Sequence, residues 1–203
     1  MSWTEMDLKD YVARDPSALL DEPLLVINRE IAVGNGGFAD FVAVDSDSNI
    51  VIIEAKVGRV KEEVFTQAIG YASVVDGWSS DDLTRMYRAY YLLTEKATDT
   101  FEEAFRATFG KSYDMHSGAS RIVLLGKAFA PGCISMADFY SRRGIAVELV
   151  SYEAHFQSNG KIAFRRASSG SAVIEHAVSR NLTQPLGEKR RTAIFEDVNS
   201  RPN

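Results

Sequence analysis

Asp40, Glu54 and Lys56 are ionisable residues set in runs of Val, Ile, Phe and Ala, within the stretch GGFADFVAVDSDSNIVIIEAKVGRVKEEVFTQAIGY from Gly36 to Tyr71. A charge among apolar side chains is expensive unless it is paired, so charges retained in such runs point to a site that binds something. Two carboxylates, completed by water, make a hard oxygen site suited to Mg2+ or Mn2+. An adjacent lysine could orient or help deprotonate an attacking water, or stabilise negative charge on a phosphate.

The local pattern predicts how these residues meet. Phe38 to Val44 reads as a strand, and Ser46-Asp47-Ser48-Asn49 supplies polar turn residues that fold it against the next apolar run. Across that hairpin Asp40 approaches Glu54. Strand side chains alternate, so Ile50, Ile52, Glu54 and Lys56 share one face, with Glu54 and Lys56 roughly 7 Å apart. Asp40 and Glu54, brought together across the hairpin, repel each other until a cation joins them. From about Val60 to Val75 the residues Val60, Val64, Ala68, Tyr71 and Val75 form a stripe at helical spacing, with Gln67 on it. Gln67 and Tyr71, four residues apart, would then direct an amide and a phenol towards the sheet and a metal or phosphate bound there. The bland alternative for Gln67 is a buried amide satisfied by backbone groups.

The series Asp40, Glu54-Ala55-Lys56 and Gln67-x-x-x-Tyr71 resembles the PD-(D/E)XK nuclease superfamily, and its helical Gln/Tyr pair is similar to the RecB-type nuclease motif. The closer likeness is to NucS-like endonuclease domains, with an acid in one strand, a hydrophobic strand ending in Glu-x-Lys, and a Gln-bearing helix. It extends through Glu5-Met6-Asp7-Leu8, Asp15-Pro16 and Asn28-Arg29-Glu30, and through Arg121 to Glu148. Ala55 and the lack of a proline before Asp40 depart from the commonest pattern. The resemblance implies an α/β fold, a restriction-endonuclease-like mixed β-sheet core flanked by helices. It also implies a Mg2+-dependent (or Mn2+-dependent) deoxyribonuclease, an endonuclease of DNA repair or defence. In that reading Asp40, Glu54, Lys56 and Gln67 are catalytic, and Asp40 and Glu54 are metal ligands. The first helix often adds an acidic ligand; Glu5, Asp10 and Glu30 compete for that part, with Glu5 preferred. Tyr71, Arg59 and Lys61 would contact substrate. The competing reading is a catalytically inactive nuclease-fold domain that binds nucleic acid or a protein partner, because fold does not fix function. The remaining one is a cross-strand ion pair of Glu54 and Lys56 at a sheet edge.

Composition bears on these readings. A net charge of −5 runs against nucleic-acid binding, which draws on Lys and Arg. Part of the acidity belongs to the proposed metal ligands, however, and part to Ser80-Asp81-Asp82 and Glu102-Glu103. Lys56, Arg59 and Lys61 gather beside the proposed site, whereas Arg142-Arg143, Arg165-Arg166 and Lys189-Arg190-Arg191 read as solvated faces. A homodimer would provide two sites for two strands of DNA. No apolar run approaches the ~20 residues needed to cross a membrane and no signal peptide is evident, which predicts a cytoplasmic protein. The lone Cys133 excludes an internal disulfide and reads as a buried residue near a helix start. His116, His155 and His176 lie too far apart in sequence to form a zinc-ligand spacing.

Along the chain, residues 1–167 read as a single nuclease-like domain and 168–203 as a loosely ordered tail rich in Ser, Gly, Arg, Asn and Pro. Asp7 to Leu20 predicts a helix interrupted near Asp15-Pro16-Ser17, and Leu24 to Val33 a first strand, followed by a turn at Gly34-Asn35-Gly36-Gly37. Met86 to Thr94, with Tyr90, Tyr91, Leu92 and Leu93, reads as a strand. A helix from about Thr98 to Phe109, a strand from Arg121 to Leu125, a helix from Ser135 to Arg143 closed by Gly144, and a strand from Ala146 to Tyr152 follow. Glu153 to Ala167 reads as a late hairpin around Ser158-Asn159-Gly160.

Overall fold

The computed structural model describes residues 3–33, 37–92, 100–114, 119–157 and 162–167. The expected tail, the glycine-rich turn at 34–36, the turn at 158–160, His116, His176 and the basic run at 189–191 lie outside the described residues.

Helix α1, Glu5–Arg14, starts at Thr4, whose hydroxyl accepts the Asp7 amide while its own amide donates to the Asp7 carboxylate at 2.7 Å. This reciprocal cap fixes the first turn and places Glu5 and Lys9 one turn apart on the same side of the helix. Asp15 then accepts from the Ser17 amide and hydroxyl, so the chain restarts as the short α2, Ser17–Leu20. Strands β1 (Leu25–Val33), β2 (Gly37–Val44) and β3 (Ile50–Ala55) follow as an antiparallel meander. The turn between β2 and β3 is held by the Asp45 carboxylate, which accepts from the Asp47 and Asn49 amides, both at 2.9 Å.

Three helices, α3 (Glu62–Val75), α4 (Ser80–Leu92) and α5 (Phe101–Phe109), carry the chain from β3 to β5 (Ser120–Gly126), which pairs parallel with β3. Helix α6 (Pro131–Ser141) leads to β7 (Ala146–Phe156), parallel to β5, and β8 (Ile162–Arg166) pairs antiparallel with β7. The sheet order is β1-β2-β3-β5-β7-β8. Beyond the ends of β3 and β5, the short strands β4 (Arg59–Val60) and β6 (Ala128–Phe129) pair parallel with each other.

The β3 strand is central, and all its residues are buried, as its Val/Ile run requires. Val51, Ile53 and Ala55 share one core with Phe41 and Ala43 of β2, Val123 and Leu125 of β5, Leu8 and Val12 of α1, and Leu19 and Leu20 of α2. The alternate residues Ile52, Ile122 and Leu124 are also buried, and α3 lies across β3 and β5 with Phe65, Ala68, Tyr71, Ala72 and Val75 inward. The result is the expected α/β architecture, a mixed sheet flanked by helices.

Two elements differ from the sequence expectation. Met86 to Leu92 is not a strand but continues α4, and residues 93–94 of the expected strand lie outside the described residues. Ser79 and Asp82 exchange amide and side-chain hydrogen bonds of 2.9 and 3.2 Å, which starts a helix. Leu83 and Tyr87 then bury themselves one turn apart, so helical spacing overrides the strand preference of the tyrosines. Val60 belongs to β4 and not to the following helix, because its backbone is engaged by the β6 ladder and by the Ala130 amide at 2.9 Å.

The parallel core depends on Arg121 at the start of β5. Its guanidinium binds Asp45 at 2.6 Å and Glu22 at 2.8 Å, tying the β2–β3 turn and the segment before β1 to the central sheet. Arg121→Ala leaves the Asp45 carboxylate buried without its cation and is expected to destabilise the fold by about 3 kcal/mol. Urea unfolding of the two proteins measures this; a loss below about 1 kcal/mol would contradict the assigned role.

Candidate active site

In the β2–β3 pairing Phe41 faces Ile53, and one step further along the hairpin Asp40 lies across from Glu54. The two carboxylates are joined through backbone. The Asp40 amide donates to Glu54 Oε1 at 3.2 Å, and the Ala55 amide donates to Asp40 Oδ2 at 2.9 Å. Both residues are almost inaccessible, Asp40 at 5% and Glu54 at 2% relative exposure.

Lys56 is fixed by its own backbone at the point where β3 ends. Its amide donates to the Leu125 carbonyl and its carbonyl accepts from the Tyr152 hydroxyl, each at 2.9 Å. Its ammonium lies 3.1 Å from Asp40 Oδ2, 3.3 Å from Glu54 Oε2 and 3.3 Å from Glu5 Oε1. A second lysine enters from α1. Lys9 Nζ is 2.6 Å from Asp40 Oδ1, 3.3 Å from Glu30 Oε1 and 3.7 Å from Glu5 Oε1. Sequence reasoning passed over Lys9. The signal was a lysine between Leu8 and Val12 on the buried side of an amphipathic helix, one turn after an acid.

Four carboxylates, of Glu5, Glu30, Asp40 and Glu54, thus face two ammonium groups, which leaves two negative charges uncompensated when all are ionised. The titration of the group follows from this. Burial raises the Glu54 carboxyl, the Asp40 charge raises it further, and Lys56 offsets only part, so it sits at about 7. Burial also works on Asp40, but the Lys9 and Ala55 hydrogen bonds and the Lys56 charge outweigh it and hold Asp40 below the ordinary carboxylate range. Burial opposes both ammonium groups, yet their carboxylate partners raise Lys9 and Lys56 above an ordinary lysine.

The donor set suits a hard dication: it is made of oxygen and carries an anionic excess. Asp40 and Glu54 are the two carboxylates of the set that are buried. Among the described residues no three His, Cys, Asp or Glu side chains gather in a group that could bind a metal. The three acids that competed in sequence for the additional ligand fall in different places. Glu5 faces Lys56 and Lys9, Glu30 faces Lys9, and Asp10 pairs with Arg29 at 2.6 Å.

The helical residues divide. Tyr71 closes one side of the site: its hydroxyl receives a hydrogen bond from the Phe38 backbone, and burial together with the Glu54 and Asp40 charges raises its titration point. A Cβ on Gly37 would lie 2.4 Å from the Tyr71 hydroxyl, so glycine at that position is what admits the ring. Gln67 does not lie on the buried stripe. The inward face of α3 is centred on Phe65, Ala68, Ala72 and Val75; Gln67, one residue before Ala68, is turned about 100° away and is exposed. Arg59 is exposed and donates from Nε to the Phe129 carbonyl at 3.3 Å, and Lys61 is exposed at the N-cap of α3.

No family profile and no curated protein matches this sequence. Solved structures do. A repair endonuclease from Pyrococcus abyssi is 15% identical with a TM-score of 0.44, the match covering 74% of this chain and 48% of that one. A complex of EndoMS with double-stranded DNA is 17% identical with a TM-score of 0.45, covering 74% of this chain and 46% of that one. EndoMS in its apo form is 18% identical with a TM-score of 0.42, covering 74% and 48%. This chain therefore spans about half the length of the solved structures it matches.

The raised Glu54 carboxyl makes a pH prediction. The folded protein holds this proton up to about 7 whereas the unfolded chain releases it near 4.5, so folding binds protons between those values and stability falls as pH rises through them. In EDTA the ionised Glu54 is expected to reduce stability by on the order of 3 kcal/mol above pH 7 relative to pH 4. Glu54→Gln should lack this loss, and urea unfolding at several pH values compares the two. Equal pH dependence in both proteins would refute the assignment.

Proposed function

We propose that the protein hydrolyses phosphodiester bonds in DNA as a Mg2+- or Mn2+-dependent deoxyribonuclease, an endonuclease of DNA repair or defence built on one domain over residues 1–167. The observation that carries this reading is the convergence of buried Asp40 and Glu54 with Lys56, in a cluster that lacks two positive charges. Asp40 and Glu54 would hold the cation, which when bound supplies charge stabilisation for phosphate and a more acidic water. Lys56, whose backbone is fixed by two hydrogen bonds, offers an ammonium able to orient the attacking water or bind the scissile phosphate. Tyr71 shapes the pocket wall, and Gln67, exposed on the same helix, is available to substrate and not to the buried carboxylates. Arg59 and Lys61 would contact flanking phosphates, and a homodimer would present a second site to the opposite strand. The alternative, an inactive nuclease-fold domain that binds nucleic acid or a protein, would share this fold without the cleavage.

The test is incubation of purified protein with labelled single-stranded, duplex and branched DNA, and with RNA, in Mg2+, Mn2+ or EDTA. Cleavage of DNA that requires the metal is expected. Glu54→Ala and Lys56→Ala should each lower the single-turnover rate by at least ~10²-fold, because removing one preorganised charge at such a centre typically costs that much. Gln67→Ala should fall less. Near wild-type cleavage by either charge variant would remove Asp40, Glu54 and Lys56 from the chemistry, and no cleavage of any strand with either metal would favour the binding module.

A further inference from the structure

Lys9 is a charged side chain of the cluster to which the nuclease reading gives no part. It is 9% exposed, and it makes the shortest ionic contact in the cluster, 2.6 Å to Asp40 Oδ1. Asp40 Oδ2 is already engaged by the Ala55 amide and Lys56, so Oδ1 is the oxygen that Asp40 has left to offer a cation, and Lys9 stands on it. Two further carboxylates, of Glu30 and Glu5, lie 3.3 and 3.7 Å from the same ammonium.

Glu30 reaches that position through an unusual backbone. With Arg29 facing Phe41 and Ile31 facing Ala39, Glu30 lies opposite Asp40 in the β1–β2 pair, and its φ of 49° is in the left-handed region although it is not glycine. Such a conformation is unfavourable for a residue that carries a Cβ, and it persists where its surroundings hold it. Here it brings a carboxylate to Lys9, opposite the one Lys9 already binds.

Resting on the metal-dependent reading, we propose that Lys9 is a resident counter-ion that sets the metal affinity of the site. In the free protein its ammonium neutralises Asp40, a divalent cation must displace it from Oδ1, and Glu30 and Glu5 receive it when it leaves. Lys9 therefore keeps two adjacent buried acids compatible with folding when no metal is bound, and raises the cation concentration at which the site fills. It is a positioning residue for the cation and does not touch substrate in this account.

Equilibrium binding of Mn2+ to the full chain, stripped with EDTA, tests this by calorimetry and by electron paramagnetic resonance of free Mn2+. Lys9→Met removes the charge and keeps much of the stem, and is expected to bind Mn2+ at least about tenfold more tightly than wild type, since a unit charge a few ångströms from the cation is gone. Lys9→Arg keeps the charge and should stay near the wild-type affinity. A lysine with only a packing role would give Lys9→Met equal or weaker binding, and that result overturns the proposal. If Lys9→Met fails to fold, the wild-type protein labelled with 15N-lysine decides: the Lys9 ammonium resonance should move on titration with Mg2+, and an unmoved resonance at saturation overturns it. Unchanged Mn2+ affinity in a protein that cleaves DNA with Mn2+ defeats the Lys9 proposal alone. No metal binding with or without DNA, and no metal-dependent cleavage, defeats the nuclease reading and this proposal together.

Discussion

The constraint on which the site depends is the placement of two carboxylates, Asp40 and Glu54, side by side under an almost complete cover of protein. Neither can ionise there without compensation, because desolvation and mutual repulsion both act against the charge. The fold answers with groups it cannot easily withdraw. The Ala55 and Asp40 amides are set by the β2–β3 register, so a slip of one residue in that hairpin would remove both hydrogen bonds and turn the acids to the other face. The flanking runs of Val, Ile and Phe hold that register through their burial, which makes the apolar core a direct determinant of where the charges sit.

The two lysines reach the same carboxylates by different structural routes. Lys56 is held by β5 and β7 through Leu125 and Tyr152, so its position is a property of the parallel half of the sheet. Lys9 is held by α1, whose Leu8 and Val12 pack in the core beneath it and whose Thr4–Asp7 cap sets its first turn. The site is consequently the meeting point of the hairpin, the parallel strands and the first helix. Loosening of α1 would withdraw Glu5 and Lys9 together, leaving Asp40 to Lys56 and the Ala55 amide.

Much of this was legible in the sequence. The β2–β3 hairpin announces itself by alternating apolar runs around Ser46-Asp47-Ser48-Asn49, and the facing of Asp40 and Glu54 follows from counting back from the turn. Lys56 follows from the Glu-x-Lys spacing. What local patterns could not reveal is what arrives from elsewhere in the chain. Lys9 looks like half of a solvent-facing Glu5–Lys9 pair until the docking of α1 buries it, and Glu30 looks like an ordinary strand residue until its φ is known. The expected stripe takes its phase from Val60 and Val64, and that phase misplaces Gln67. Val60 lies outside the helix and Val64 is only partly buried, whereas Phe65 is fully buried and sets the true phase. The α4 segment misled because tyrosines favour strands in general, while the Ser79–Asp82 cap that decides the matter lies before the segment that was read as a strand.

The net charge of the chain gains a physical meaning from the pairings. Among the described residues, Arg121 is held by Asp45 and Glu22, Arg166 by Glu148 and Asp21, Arg165 by Glu153, and Arg142 by Asp138, so the basic residues of the second half are largely neutralised by the protein itself. Arg59 and Lys61 are exposed without an acidic partner in the ion pairs described, Arg59 being hydrogen-bonded to a backbone carbonyl. An anionic polymer meets attraction at exposed cations such as these. On the nuclease reading, the cation held by Asp40 and Glu54 would supply a large share of that attraction, so DNA affinity and metal occupancy would be coupled: whatever controls filling of the carboxylate pair also controls how strongly a phosphate is drawn to it.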